Sequence, residues 1–247
     1  MVSIVTGCSE QTSETNSYEE KQAAKETADK TVSELTSVPI RQAYFGDLHV
    51  HTSYSLDSYM TFVRSTPRDA YRFARGERVG MYGGQDKQLK HPLDFVAVTE
   101  HAEFLGEFAL CSTLGSTAYG NSICIDYRNE KQDRQLASDL FRDTLLPIFT
   151  ARTPQRWAIC GEDGSRCADA ARNVWQEIQQ VNEEFNVPGE FTTFIGYEWT
   201  GQYQGNRHRN VIFRNNDVPG TPWSQFEVPT PEQLWNCLLY TSPSPRD

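Results

Sequence analysis

Apolar and polar positions alternate along the chain in blocks that predict strands separated by helices. Four stretches have either the alternation of a half-buried strand or the continuous apolar run of a fully buried one. Two longer stretches between the second and third strands have apolar residues at helical spacing. Strands that alternate with helices are typical of an α/β fold with a parallel sheet or barrel. The predicted strands are residues 44–51, 93–101, 191–199 and 210–213, and the predicted helices are residues 130–152 and 168–185.

The first predicted strand ends in residues that commonly bind metals. Because side chains two positions apart share a face of a strand, Asp47, His49 and His51 point the same way. Two imidazoles at this spacing are able to hold one metal cluster from one side. The chain then turns, and Asp57 follows with a carboxylate that could return to the same site.

The other predicted strands also lie beside His or acidic residues. Glu100 and His101 close the second strand, Glu198 ends the third, and His208 precedes the fourth. Polar groups past the carboxyl ends of several strands are typical of an active site on that face. A single His-x-His carries little weight, but four of the five histidines lie beside acidic residues at strand ends, which predicts a metal site. His91 precedes a proline in a loop and is predicted to take no part.

Composition and charge bound the possible functions. Of the 247 residues, 38% are hydrophobic and 23% charged, which is usual for a globular protein and excludes a disordered chain. The length is that of a single α/β barrel. No stretch approaches the roughly eighteen consecutive apolar residues that a membrane-spanning helix needs. The formal charge of −10 argues against a nucleic-acid partner, because a phosphate backbone requires a basic face.

The N-terminus has features of an exported protein. Val5, Thr6, Gly7 and Cys8 resemble the lipobox of bacterial lipoproteins, in which the cysteine is lipid-modified, and residues 9–40 form a polar tether. The apolar run before Cys8 is too short for a signal sequence, so we expect the true start to lie upstream. The predicted location is the periplasm or the outer membrane, with membrane contact only through the lipid. The alternative is a chance Gly-Cys pair.

Residues 237–247 resemble an artefact of DNA sequencing. Back-translated, the segment resembles the transposase adapter used to build sequencing libraries, read through in frame. We therefore expect the natural sequence to be interrupted at about residue 236 and the chain to be a C-terminally truncated fragment. The alternative is a genuine tail rich in Pro and Ser.

Four further cysteines are candidates for disulfide bonds. Their order favours two local bridges, Cys111 with Cys124 and Cys160 with Cys167, although four cysteines allow three pairings and the sequence does not choose. Zinc binding is the rival interpretation, but no Cys-x-x-Cys pair is present. Disulfides would fit an oxidising compartment.

Two motifs carry a family resemblance. Residues 46–52 resemble the first motif of the PHP (polymerase and histidinol phosphatase) metal hydrolases, and residues 98–101 resemble the second. Further segments resemble an uncharacterised bacterial branch of that superfamily, a domain of unknown function: Thr66 to Ala74, Leu93 to Gly106, and Gly196 to Thr200 with His208 to Phe213. The resemblance covers about residues 41–236.

The resemblance implies a distorted seven-stranded βα barrel, similar to a TIM barrel and here incomplete at the C-terminus. It also implies two or three divalent ions, usually Mn, Fe or Zn, with Glu198 as the bridging carboxylate and Glu198 and His101 as catalytic residues. Asp47 and Glu100 would support the ligands, and Glu100 stands where the family usually has Asp. The family's late His and Asp-x-His ligands are absent and would lie past residue 236. The implied metal ligands are His49, His51, Asp57, His101, Glu198 and His208.

The predicted activity is a metal-dependent hydrolysis of a small anionic ester, a phosphate or a related sulfate or phosphonate. Paired ions activate water and clamp both oxygens of a displacement at phosphorus. Arg207, Arg209 and Lys90 are candidate contacts for the anion, although each could be an ordinary surface cation. Two alternatives stay open: an amidohydrolase-like enzyme acting on amides or lactones, and an exported metal-binding domain without catalysis. Because a barrel without its last strands has open edges, we expect residues 1–247 alone to aggregate and to be nearly inactive.

Overall fold

The computed structural model describes residues 42–81, 84–201 and 207–241. The chain divides into two units, Met1–Tyr44 and Phe45–Asp247. The first unit is described only at residues 42–44, so Cys8 and the predicted tether at residues 9–40 lie outside the described residues. No helix in the described part of the chain combines the length and apolar character needed to cross a membrane. The elements below all belong to the second unit.

Three small sheets make up the β-structure of the described residues. One is parallel, with strand order β1-β4-β5, and the pairs β2-β3 and β6-β7 are antiparallel. The strands are β1 (Gly46–Val50), β2 (Val79–Gly80), β3 (Asp86–Lys87), β4 (Phe95–Val98), β5 (Thr192–Thr193), β6 (Gly196–Gly201) and β7 (Arg207–Ile212).

Backbone hydrogen bonds bring the carboxyl ends of β1 and β4 together and place the middle of β6 beside them. The N–H of Thr99 donates to the carbonyl of Val50 at 2.8 Å, which extends the pairing of β1 with β4. On the other side, the N–H of Glu198 donates to Glu100 and that of Ala102 donates to Glu198, each at 2.8 Å. A parallel bridge joins His101 with Glu198. The strand predicted over residues 191–199 is divided between β5 and β6, and Glu198 lies within β6 rather than at its end. The polar residues at the ends of β1 and β4 therefore meet Glu198 from the side.

The long helix near the middle of the chain follows the predicted apolar spacing. It begins at Ser165 rather than at Ala168, and Ala171, Trp175 and Ile178 are buried along one face. The helices are α1 (Leu56–Met60), α2 (Pro67–Ala74), α3 (Leu105–Ser112), α4 (Ser122–Arg128), α5 (Arg134–Leu140), α6 (Leu146–Thr150), α7 (Ser165–Phe185) and α8 (Pro231–Thr241), with a 3-10 turn at Ala158–Cys160.

The helix predicted over residues 130–152 is divided in the structure. It begins only at Arg134, because the side chain of Asp133 caps the N–H groups of Gln135 and Leu136. Between α5 and α6 the segment Phe141–Leu145 is a π-helix. Pro147 lacks an N–H and cannot donate the bond that a continuous α-helix needs there, so a change of helix type is expected near it.

Both local disulfide bridges form in the structure. Cys111 pairs with Cys124 and Cys160 with Cys167, and all four are buried in the apolar cluster around Phe104. The first bridge joins α3 to α4, and the second joins the 3-10 turn to α7. The sulfurs of Cys160 and Cys167 lie near the carboxylate of Glu107, but their disulfide leaves them no thiolate for a metal.

The seven-stranded barrel expected from the resemblance is not closed among the described residues, which form the three separate sheets above. The fourth predicted strand also differs from a barrel strand, because β7 is antiparallel to its neighbour β6. Only residues 202–206 connect β6 to β7. A parallel connection needs about a dozen residues or more, so a link this short imposes a hairpin.

Candidate metal centre

Six side chains from four parts of the fold meet where the carboxyl ends of β1 and β4 lie beside the middle of β6. They form three overlapping groups in which one ligand atom of each residue lies within 4.8 Å of the others. The groups share His51, His101 and Glu198, so the cluster is continuous. The groups are His49 with His51 and Glu198, His51 with Asp57 and His101, and His101 with Glu198 and His208.

The first group has the spacing of two imidazoles on one ion. The Nε2 atoms of His49 and His51 are 2.9 Å apart, and Oε2 of Glu198 lies 2.9 Å from His51 Nε2 and 3.5 Å from His49 Nε2. Two nitrogens bound at about 2.1 Å with an angle of roughly 90° would be about 3 Å apart. His49 in β1 and His51 directly after it therefore put both rings where one ion could hold them.

Glu198 directs its two carboxylate oxygens to opposite sides of the cluster. Oε1 contacts Nδ1 of His208, whereas Oε2 faces His49 and His51. Glu198 is fully buried, and no hydrogen bond of acceptable geometry reaches Oε2 among the described residues. A carboxylate placed in this way has the geometry of a bridge between two ions.

His101 and Asp57 form the third side. Nε2 of His101 lies 3.8 Å from Oδ2 of Asp57, and its Nδ1 lies 2.9 Å from the hydroxyl of Thr200. Asp57 stands in the first turn of α1 and brings its carboxylate back from the turn after β1. His101 is nearly buried, whereas the Asp57 side chain is about half exposed. This side of the cluster therefore opens toward solvent.

The histidines set the ionisation of the carboxylates between them. Burial alone would raise the pKa of Glu198, but contact with His51 and the charges of His101, His51 and His208 lower it to about 2. Burial is likewise outweighed at Asp57, where His101 holds the pKa below its ordinary range. For His101 burial lowers the pKa, while the Asp57 contact and nearby carboxylates raise it, with a net increase. Both carboxylates are therefore ionised at neutral pH, as metal ligands must be.

Glu100 supports the ligands from behind rather than facing the cluster. Its buried carboxylate accepts hydrogen bonds from the backbone N–H of Thr52 at 3.0 Å and from the hydroxyls of Thr52 and Ser55. The Ser55 oxygen in turn accepts from the N–H of His101 at 2.9 Å and contacts Nδ1 of His51 at 2.7 Å. Because the only hydroxyl proton of Ser55 goes to Glu100, the ring of His51 is the donor in that contact. Nε2 of His51 then keeps its lone pair for a metal.

Three further residues contact the cluster although no sequence motif predicts them. Thr200 bridges His101 and His208 through its hydroxyl, at 2.9 and 3.2 Å from their Nδ1 atoms. Asn210 holds His49, with its amide nitrogen 3.0 Å from Nδ1 of that ring. Neither residue has a sequence signal beyond its place in β6 or β7.

Glu103 is the third of these residues. It is fully buried, with Oε2 at 3.9 Å from His101 Nδ1 and Oε1 accepting from the N–H of Gln225 at 3.0 Å. Burial raises the pKa of Glu103 to about 8, against the opposing charge of His101. Its one sequence signal is a position two residues after His101.

The remaining predicted residues lie at the edge of the cluster or away from it. Asp47 is exposed and accepts from the N–H of His49 at 2.9 Å, which steadies the end of β1. Arg207 and Arg209 flank His208 on β7, and Arg209 donates to the His208 carbonyl at 2.7 Å. Lys90 is exposed on the segment that enters the amino end of β4, whereas His101 follows the carboxyl end. The structure therefore does not bring Lys90 to the cluster.

Comparison with known proteins gives a family without an established activity. Residues 38–244 match the sequence model of a family described as protein of unknown function, DUF3604. The chain belongs to this family. No curated protein matches the chain, and no solved structure matches it. All six residues of the cluster lie within the DUF3604 region.

Proposed function

We propose that this DUF3604 protein is a metal-dependent hydrolase of phosphate esters or of closely related sulfate or phosphonate esters, with a PHP-type centre of two or three divalent ions. The observation that carries the proposal is the placement of Glu198, whose oxygens face His49 and His51 on one side and His208 on the other. A shared carboxylate between imidazole groups favours a centre with more than one ion. Centres of this kind are suited to displacement at phosphorus.

The residues of the cluster fit divalent ions. Imidazole and carboxylate are ligands of borderline and hard divalent metals such as Zn, Fe and Mn. The imidazoles of His51 and His101 stack at 4.7 Å between ring centroids, beside the buried Oε2 of Glu198 that lacks a hydrogen bond among the described residues. Cations would satisfy that oxygen and relieve the crowding of four polar rings. His49, His51, Asp57, His101, Glu198 and His208 are the residues that would hold them.

When bound, such ions supply an activated water near neutral pH and neutralise charge on the ester. The chain's own residues position the site. The Ser55 and Glu100 pair holds His51 with Nε2 facing inward, and Thr200 orients His101. His101 and Glu198, which lie at the centre of the cluster, are the proposed catalytic residues, because they would hold the ions that activate the water. Arg207 and Arg209 beside His208 would attract an anionic substrate.

The test is hydrolysis of 4-nitrophenyl phosphate by metal-loaded protein. The assay uses the full-length protein. His51→Ala and Glu198→Gln should reduce turnover at least a hundredfold and lower the bound metal measured by mass spectrometry. His91→Ala, at a histidine outside the cluster, is the matched control and should keep both.

Other outcomes would overturn the proposal in different ways. Turnover of lactones or amides with none of phosphate, sulfate or phosphonate esters would replace it by an amidohydrolase-like activity. Stoichiometric metal without hydrolysis of any ester would leave an exported metal-binding domain. If His91→Ala lost as much metal as His51→Ala, the assignment of the six ligands would be wrong.

We also propose that the protein is exported as a lipoprotein. The support from the structure is the pair of buried bridges, Cys111–Cys124 and Cys160–Cys167, because disulfides persist mainly in oxidising compartments. Fractionation of cells, followed by mass analysis of the N-terminal peptide, tests for a lipid on Cys8. A protein found in the cytoplasm with four reduced cysteines would contradict it.

A further inference from the structure

A cavity of about 400 Å³ opens beside the candidate metal centre. Asp57 forms part of its wall and also lies 3.8 Å from His101, so the cavity and the cluster share a side chain. The volume lies within the range of small-molecule sites, which are about 300–1,000 Å³. A substrate whose reacting group lay at the cluster on this side would place the neighbouring part of the molecule in the cavity.

The cavity wall is largely apolar. Met60 and Phe62 contribute from the end of α1, and Ala137 and Phe141 contribute from α5 and the π-helix. Phe141 is 39% exposed although it is a large apolar residue. Apolar walls with a few polar groups are typical of sites that bind the organic part of a ligand.

The backbone is unusual at both aromatic wall residues. Phe62 has a φ of 72°, a conformation in which glycine is common and a bulky residue is rare. The N–H of Phe62 bonds to Tyr59 and that of Val63 bonds to Ser58, the pattern that closes a helix at a left-handed residue. Phe141 begins the π-helix, a helix type that often marks functional sites. The fold therefore places Phe62 in a backbone conformation that disfavours a bulky residue. It places Phe141 where an α-helix is interrupted.

One cation lines the cavity. Arg134, at the start of α5, is exposed and has no ion pair within the described residues. Arg142 in the π-helix, by contrast, pairs with Asp139 and Asp143. An unpaired guanidinium beside an apolar wall fits a ligand that carries an acidic group at some distance from its ester.

From these features we infer that the cavity beside Asp57 binds the alcohol part of the substrate, and that this part is an aromatic group bearing a second anionic substituent such as a carboxylate. The inference rests on the proposed function, since the ester itself would lie at the metal centre. Phe62 and Phe141 would contact the ring, and Arg134 would pair with the acidic substituent. These three residues would then determine specificity without contacting the reacting atoms.

The experiment measures binding rather than turnover. Isothermal titration of the Mn-loaded full-length protein compares methylphosphonate, phenylphosphonate and 4-phosphonobenzoate, none of which contains an ester bond to cleave. Phenylphosphonate should bind about tenfold more tightly than methylphosphonate, because its ring is buried in the cavity. The carboxylate of 4-phosphonobenzoate should increase the affinity further.

Variants separate the two contacts. Phe141→Ala should abolish the preference for the phenyl group and leave the affinity for methylphosphonate unchanged, whereas Leu114→Ala, at an exposed apolar residue away from the cavity, should alter neither. Arg134→Gln should remove only the gain from the carboxylate. Arg152→Gln, at an exposed arginine that does not line the cavity, should retain it.

The failures are distinguishable. Equal affinity for methylphosphonate and phenylphosphonate, with hydrolysis of simple phosphate esters intact, would overturn the inference and leave the proposed function standing. A phenyl preference that survives Phe141→Ala would place the ring elsewhere and overturn it as well. Binding of none of the three compounds, together with no hydrolysis of phosphate esters, would overturn the proposed function and the inference with it.

Discussion

The hydroxyl oxygen of Ser55 lies 2.7 Å from Nδ1 of His51. This serine is fully buried and also contacts Glu100 and the backbone N–H of His101. A single hydroxyl therefore fixes the ring of one candidate ligand and the backbone of another. Residues that orient metal-binding histidines are often as important to affinity as the ligands themselves.

Ser55→Ala should weaken metal binding while leaving every candidate ligand in place. Losing the partner of His51 Nδ1 frees the ring to rotate, and such losses typically reduce metal affinity about 10–100-fold. Competition with a chelating indicator measures the dissociation constant. Ser122→Ala, at an exposed serine in α4, is the control. Equal affinities of the Ser55 and Ser122 variants would exclude a positioning role for Ser55.

The metal-free protein should lose stability as the pH rises from 6 to 9. The pKa of His101 is raised by its carboxylate neighbours against the effect of burial, and burial raises the pKa of Glu103 to about 8. Both groups hold protons more tightly in the folded state, so the free energy of unfolding falls as pH increases. The loss at Glu103 runs between pH 4.5 and about 8, and that at His101 begins above 6.5.

Melting temperatures in the presence of a chelator measure this dependence. Asp57 and Glu198 have lowered pKa values and change protonation only in acid, so they do not mask it. Glu103→Gln should flatten the decline, and Glu162→Gln, at an exposed carboxyl, should not. A melting temperature that stays constant or rises over this pH range would contradict the prediction.

Gly106→Ala should destabilise the fold through the crossing of α3 with α7. A β-carbon at this position would lie 1.9 Å from the backbone carbonyl oxygen of Cys167, which is too close for any contact. The helices must separate, and overpacking of this kind costs about 1–3 kcal/mol or more. Gly120→Ala, where no atom lies within 4 Å, is the control. Chemical denaturation compares the two, and equal midpoints would mean that the helices do not approach so closely.

Arg156→Leu should be strongly destabilising, because Arg156 is the partner of a buried carboxylate. Nη1 of Arg156 donates to both oxygens of Glu107, at 2.8 and 3.0 Å, and Glu107 is fully buried. Removing one member of a buried pair costs about 3–5 kcal/mol. Arg142→Leu removes an exposed arginine with two ion pairs and should change stability by less than about 1 kcal/mol. Similar unfolding free energies for both variants would refute the distinction.

Local periodicity predicts the parts of the site that one element supplies. The two-residue repeat of the predicted strand places His49 and His51 on one face. In the structure β1 ends at Val50, one residue before His51, and the Nε2 atoms of the two histidines lie 2.9 Å apart. The apolar run in residues 93–101 predicts a buried strand with His101 at its carboxyl end, and in the structure His101 follows β4. Asp57 also returns to the cluster, as the turn after His51 allows.

Contacts between distant elements are outside the reach of such patterns. Thr200 and Asn210 meet the histidines only because β6 and β7 pair in one register, with Thr200 opposite His208 and Glu198 opposite Asn210. Glu103 accepts a hydrogen bond from Gln225, which lies in a segment without regular structure. The helix predicted over residues 130–152 fails at Phe141 for a related reason, since helical spacing does not distinguish a π-turn from an α-turn.

The bridge between His101 and Glu198 makes two candidate ligands neighbours in the same hydrogen-bond ladder. The N–H groups of Ala102 and Glu198 close that ladder, so any opening of this sheet edge would also pull the ligands apart. If the proposed ions bind there, metal binding and closure of the edge would be one equilibrium. The exchange of these two amide hydrogens with solvent should slow together as ions are added, which makes the backbone itself a reporter of occupancy.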